Sequence, residues 1–229
     1  LSAASIAQAL GDNSQANAWS QKAASVREKM NELLYEPVQH RYMANIYQGT
    51  ASAPSPHAQA WALSAGITPS GETEQLCTSL LEFLSADPAS PKVWPYGMYW
   101  VLDALGRCNH VPEAIQLIKT FYGLMIDNGA TTWWEGFNSN LAYSSSLSHG
   151  WSGSPTWFLT TYLLGARRTG ANTWELEPAF SGAAHAEGQL PLAQGALSAR
   201  WEIGACSKYV TVSAPPGSSG KIILSGDPN

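Results

Sequence analysis

GATTWWEGFNSNLAYSSSLSHGWSGSPTWFLTTYLLG, residues 129–165, decides how this chain is read. Up to Ser154 the stretch is long, rich in Gly and Ser, and without a helical or two-residue apolar period. A loop of that length inside a compact domain is usually functional or disordered. Trp133, Trp134 and Trp151 argue against disorder. From Pro155 a helical pattern begins, and it ends at Gly165. A carboxylate flanked by indoles in a Gly-rich loop suits glycoside hydrolysis. Indole faces hold a sugar ring and keep water out, while Glu135 deprotonates a water or attacks the anomeric carbon. An imidazole nearby, that of His149, can hydrogen-bond a sugar hydroxyl. The structural alternatives are that Glu135 caps a helix, that His149 is a hydrogen-bonded framework residue, and that any one Trp is simply core.

Upstream of this loop the sequence reads as a series of helices. Between Asn13 and Tyr35, Trp19, Ala23, Val26, Met30 and Leu33 fall on one helical face. Ser55-Pro56 has the form of an N-cap followed by a first-turn Pro, and that helix stops at Gly66. Residues 69–72 open a third helix with Leu76, Leu80, Phe83 and Leu84 inward. Pro95 starts a fourth, through Met98, Leu102 and Leu105. Pro112 starts a fifth, with Ile115, Ile118, Tyr122 and Met125 in phase. Short loops between such helices point to stacked αα-hairpins. After about Asn172 the period changes. Residues 195–203, 208–213 and 221–224 alternate or are β-branched, with Gly and Pro turns between them, which predicts a small antiparallel sheet.

Composition narrows the function. Only 13% of the 229 residues are charged, against 45% hydrophobic, and ten are Trp. Indoles in such number suit the mixed faces of sugars. The net charge is −5, and no basic cluster exceeds Arg167–Arg168, so nucleic acid is not an expected partner. No apolar run is long enough to span a membrane. Cys77, Cys108 and Cys206 show no metal-ligand spacing. Cys77 and Cys108 fall on neighbouring predicted helices, and both a pair and plain buried thiols remain open. No cofactor or metal is expected, and no loop resembles an EF-hand. The low charge with many Ser, Thr and Trp leans toward an extracellular setting. The chain starts at Leu1 within a helical pattern, so a processed or truncated product is expected.

GATTWWE followed by SLSHGWSGSPTWFLTTYLLG resembles the α-L-rhamnosidases of family 78 of the glycoside hydrolases. Those enzymes carry a Gly-Ala-Thr-Thr-x-Trp-Glu segment, then a Ser/Asn-His segment and a helix ending in Leu-Gly. Residues 57–66 (HAQAWALSAG) resemble the family's Gln- and Ala-containing helix, and residues 95–106 (PYGMYWVLDALG) the Pro-started helix after it. Residues 174–180 and 195–203 resemble the entry into its C-terminal β-sandwich. The resemblance implies a mainly α fold, an (α/α)6 six-hairpin barrel over residues 1–170, incomplete in this chain. A small antiparallel β-sandwich, truncated, is expected over residues 171–229. It also implies hydrolysis of terminal α-L-rhamnose with inversion, on a rhamnose-containing glycoside or polysaccharide. The general base falls on Glu135 and sugar contact on His149. Trp134, in the motif's aromatic position, is expected to line the pocket, with Trp133 and Trp94 as further substrate-binding residues.

The chain departs from that family in one respect. The family's general acid lies in an acidic upstream motif, and nothing in residues 1–60 matches it. Glu28, Glu32 and Glu36 are spaced along one helical face and read as solvated. About seven helices are read where twelve are needed. The chain is therefore expected to work with a missing N-terminal part of the same enzyme. Two other readings stand beside this one. One is a different six-hairpin carbohydrate enzyme, a glucuronyl hydrolase or a polysaccharide lyase using Tyr143 and His149. The other is a non-catalytic sugar-binding remnant, distinguished by the lack of an acid opposite Glu135.

Overall fold

A computed structural model describes residues 2–84, 91–137 and 146–224. Among these, seven helical rods precede a strand-rich segment. The chain forms two compact units, Leu1–Phe83 and Leu84–Asn229, so the strands share a unit with the later helices. Tyr143 lies outside the described residues. Cys77 and Cys108 are both disulfide-bonded, and Cys206 is free and exposed.

In the first unit α1 (Ser2–Ala9) and α2 (Asn13–Leu34) form a hairpin. Asp12 caps α2 by accepting from the Gln15 N–H at 3.0 Å. The apolar stripe of α2 is present in sequence, yet no residue of this helix is buried. Trp19 is 42% exposed and Leu33 56%. The stripe borders an open groove of about 890 Å³, whose other wall includes His57, Trp61 and Ile67. Helix α3 (Pro56–Ala65) begins and ends where the sequence says. Ser55 accepts from the Ala58 N–H, Pro56 occupies the first turn, and Gly66 closes the helix in the left-handed region at φ 62°. Helix α4 (Thr73–Phe83) packs on α3 through Leu76 and Leu80, both fully buried.

Two small hairpins join α2 to α3: β1 (Tyr35–Glu36) with β2 (Arg41–Tyr42), and β3 (Ile46–Tyr47) with β4 (Thr50–Ala51). Two-residue strands leave no apolar period to read, so sequence patterning does not reveal them. They also correct the reading of Glu36. It lies beyond the end of α2 and accepts from the N–H groups of Val38 and Gln39, holding the first hairpin's turn. Glu72 accepts from the Tyr35 hydroxyl at 2.8 Å and pairs with His40, contacts that hold its carboxyl below the usual carboxylate range.

Gln59, wholly buried on α3, fixes β2. Its Oε1 accepts from the Tyr42 N–H at 2.7 Å, and its Nε2 donates to the Tyr42 carbonyl at 2.7 Å and to the Ser55 carbonyl at 2.9 Å. An apolar substitute would leave a buried N–H and a buried C=O without partners. Gln59→Leu is expected to destabilise the protein by about 3 kcal/mol, read as a shifted denaturation midpoint. An unshifted midpoint would mean that water or a neighbouring backbone group replaces the amide.

In the second unit α5 (Pro95–Arg107) buries Met98, Val101, Leu102, Ala104 and Leu105. The next rod runs through α6 (Val111–Leu117), a π-helical turn (Ile118–Tyr122) and α7 (Gly123–Asp127). The last is α8 (Ser154–Phe158), extended by a second π turn (Leu159–Leu163). Buried Asp103 clamps α5 to this rod, accepting from Tyr162 at 2.6 Å and from Arg107 Nε at 2.9 Å. Gly165 ends the helical part at φ 82°. A Cβ there would stand 1.9 Å from the Glu177 carbonyl oxygen, so only glycine fits.

Strands follow directly. β5 (Ala166–Arg168) pairs antiparallel with β6 (Thr173–Leu176), while β7 (His185–Leu192), β8 (Gly195–Ile203) and β9 (Lys208–Ser213) form an antiparallel meander. β8 and β9 match the alternation in the sequence residue for residue. β7 escapes it because Gly188 and Pro191 interrupt the run, which an edge strand tolerates. β10 (Ser219–Ile222) differs from the all-antiparallel expectation: it pairs with β6 in parallel. Parallel neighbours need a long crossover, and the meander supplies one. Trp201, fully buried on β8, donates from its indole N–H to the Leu163 carbonyl at 3.1 Å and so ties the meander to the end of the last helix.

Candidate active site

The two described arms of the loop, residues 129–137 and 146–153, pair with each other. The Glu135 N–H donates to the Ser146 carbonyl at 3.0 Å, and the His149 N–H to the Trp133 carbonyl at 2.8 Å. The Thr132 hydroxyl donates to the Leu147 carbonyl. These bonds bring Glu135 and His149, fourteen positions apart, onto one surface, with His149 Nδ1 3.9 Å from Glu135 Oε2. Among the described residues Glu135 caps no helix, and His149 Nδ1 is buried without a hydrogen-bond partner. A carboxylate and a buried ring nitrogen that stand close without bonding each other leave room for a polar ligand atom.

Several aromatic rings lie near this pair. Trp94, at the start of α5, lies so close over Gly136 that a Cβ there would stand 2.6 Å from its ring. A side chain at residue 136 would displace this indole, so glycine is required beside Glu135. Trp94 keeps nearly half its surface exposed. Trp151 covers the His149 ring at 4.1 Å between centroids, and Tyr96 meets Trp151 edge-on at 5.1 Å. Trp133 stands perpendicular to Tyr122 at 5.3 Å. Tyr122 comes from the first π turn, a device common at functional sites. Burial raises its phenol well above the ordinary value, and its hydroxyl bonds Ser154 Oγ at 3.0 Å.

A cavity of about 430 Å³, the size of a small-ligand pocket, is lined by Thr131, Thr132, Trp133, Ser148 and His149, with Ile126 as an apolar wall. Of the residues singled out in sequence, Trp133 and His149 line it. Glu135 pairs with His149 but is not among the lining residues. Trp134 is not either: it is 3% exposed and belongs to the packed interior. Of the two adjacent indoles one faces the cavity and the other the core. Tyr96 was not singled out in sequence. Its position, one residue after Pro95, carries no periodic signal, and only the fold sets it beside Trp151. Among the described residues no group of three or more His, Cys, Asp or Glu gathers as a metal site, and no helix is long and apolar enough to cross a membrane.

Residues 1–163 match the family model described as the bacterial α-L-rhamnosidase six-hairpin glycosidase domain. Among solved structures, the chain is similar to the family 78 rhamnosidase of Bacillus sp. GL1, at 25% identity with a TM-score of 0.79. That match covers 96% of this chain and 24% of the other. Two others show the same fold. The α-L-rhamnosidase of Dictyoglumus thermophilum matches at 20% identity and TM-score 0.78, covering 96% and 25% of the two chains. The Streptomyces avermitilis α-L-rhamnosidase complexed with L-rhamnose matches at 20% and 0.79, covering 98% and 22%. No curated protein matches. The chain thus spans about a quarter of the length of these solved relatives. Its helical hairpins, the Trp-lined loop at their end and the match over most of its length agree: the chain belongs to the bacterial α-L-rhamnosidase six-hairpin glycosidase family.

Proposed function

We propose that this chain carries the general base of an enzyme that removes terminal α-L-rhamnose from glycosides with inversion. The observation that carries the reading is the Glu135–His149 pair, 3.9 Å apart and framed by Trp94, Trp133 and Trp151. Glu135 takes a proton from a water molecule as that water attacks the anomeric carbon. On the opposite face an acid gives a proton to the departing glycosidic oxygen. That acid comes from a part of the enzyme outside this chain. His149 and Trp133 contact the sugar from the cavity wall, and Trp94 covers the approach to Glu135. The disulfide-bonded Cys77 and Cys108 fit the secreted setting we infer.

Inversion has a direct readout. The complete enzyme, given an α-L-rhamnoside and followed by proton NMR before mutarotation, is expected to release β-L-rhamnose first. The α anomer as first product would assign a retaining mechanism and make Glu135 a nucleophile or an acid instead. Release of a different sugar would overturn the substrate class.

A further inference from the structure

Resting on the reading of Glu135 as the base, we propose that Trp151, braced by Tyr96, is a positioning residue that aims His149 Nδ1 at the Glu135 carboxylate. The sugar contact expected of His149 needs only one of its ring nitrogens. The structure presents the other, Nδ1, to Glu135, buried and without a partner, 3.9 Å from Oε2. A closure of about 1 Å turns that approach into a hydrogen bond. The direction of an imidazole nitrogen depends on rotation about the last side-chain bond, which is soft unless packing fixes it. Here the backbone cannot fix it, because the one His149 backbone bond to the facing arm, to the Trp133 carbonyl, leaves the side chain free to rotate.

Trp151 supplies the constraint. Its indole lies against the imidazole at 4.1 Å with the planes tilted by 35°, which holds the plane of the ring, and in that plane Nδ1 is the edge that faces Glu135. Trp151 is about half exposed and is held in turn by the edge of Tyr96, 5.1 Å away, at the start of α5. The line from α5 through Tyr96 and Trp151 to His149 and Glu135 couples helix placement to the orientation of the base. Orientation errors near 1 Å cost rate far more than binding.

The test uses the complete enzyme and an aryl α-L-rhamnoside. Trp151→Ala is expected to lower kcat by about 10–100-fold with KM changed less than about threefold, and Trp151→Phe to restore most of the loss because a phenyl face remains. His149→Asn places an amide nitrogen near the position of Nδ1, whereas His149→Gln places one nearer Nε2. His149→Asn is therefore expected to keep the higher kcat and His149→Gln the lower KM. Two results overturn the proposal: a rise in KM with kcat unchanged in Trp151→Ala, which makes Trp151 a substrate platform, or His149→Asn no better in kcat than His149→Gln. If Trp151→Ala does not fold, Trp151→Phe and the His149 pair decide alone. Failure of the underlying reading looks different: Glu135→Gln would then turn over normally, whatever Trp151 does.

Discussion

Glu135→Gln in the complete enzyme is expected to lower kcat by about 10²–10⁴-fold, the usual contribution of a general base, with KM for an aryl α-L-rhamnoside changed little. Glutamine keeps the shape and one acceptor oxygen of the carboxylate but cannot take a proton. The loss therefore falls on the step in which water attacks, and not on holding the sugar. The surroundings should tolerate the change. The Glu135 side chain is about one-third exposed, and its neighbour His149, at 3.9 Å, can present a ring N–H to an amide oxygen as well as to a carboxylate. The backbone bond from Glu135 to the Ser146 carbonyl is untouched. Steady-state kinetics with a binding measurement on L-rhamnose checks both halves. A variant with near-normal kcat would remove Glu135 from the mechanism, and one that no longer binds L-rhamnose would make Glu135 a sugar ligand instead.

What the sequence reveals of this fold and what it conceals divide along physical lines. Local rules are legible. Ser55, Pro56 and Gly66 bound α3 because an N-cap, a first-turn Pro and a left-handed glycine act within a few residues of themselves. The alternation in residues 195–203 and 208–213 gives β8 and β9 because each strand buries one face. The link between Glu135 and His149 is legible through their motif, since no periodicity connects them. Features set by tertiary placement are not legible. Ile115, Ile118, Tyr122 and Met125 read as a regular α-helical face, but the π turn at Ile118–Tyr122 inserts a residue, so Leu117 and Phe121 are buried and Ile118 only partly. Gln59 reads as an ordinary helical polar residue until the fold lays Tyr42 against it. Nothing local says which of Trp133 and Trp134 faces the cavity. The α2 stripe is a further case: its pattern is that of a buried face, and the first unit leaves it open.

The isolated 229-residue chain is expected to show no hydrolysis of an aryl α-L-rhamnoside, with turnover at least about 10³-fold below that of the complete enzyme. Inversion requires two carboxyl groups about 6.5–9.5 Å apart, one giving a proton while the other takes one. In the unit that holds Glu135, the other described acids have partners or places elsewhere. Asp103 is bound by Tyr162 and Arg107, Glu113 faces His110, Glu175 pairs with Lys221, and Glu177 with Arg167. Glu187 and Glu202 share Arg200, and Asp127 ends α7 on the exposed side. In the first unit Asp12, Glu32, Glu36, Glu72 and Glu82 are engaged in caps, turns and ion pairs. The same unit exposes Trp19, Val26, Leu33 and Trp61 around one groove, an apolar surface that tends to recruit a partner or to aggregate. Joining the chain to the rest of the enzyme is therefore expected to raise both solubility and turnover. The measurement is a rhamnosidase assay on the purified chain beside the complete enzyme, each with and without Glu135→Gln. Hydrolysis by the soluble chain that Glu135→Gln abolishes would place a second acid within it. Asp87 and Asp227, outside the described residues, would then be the first two to replace.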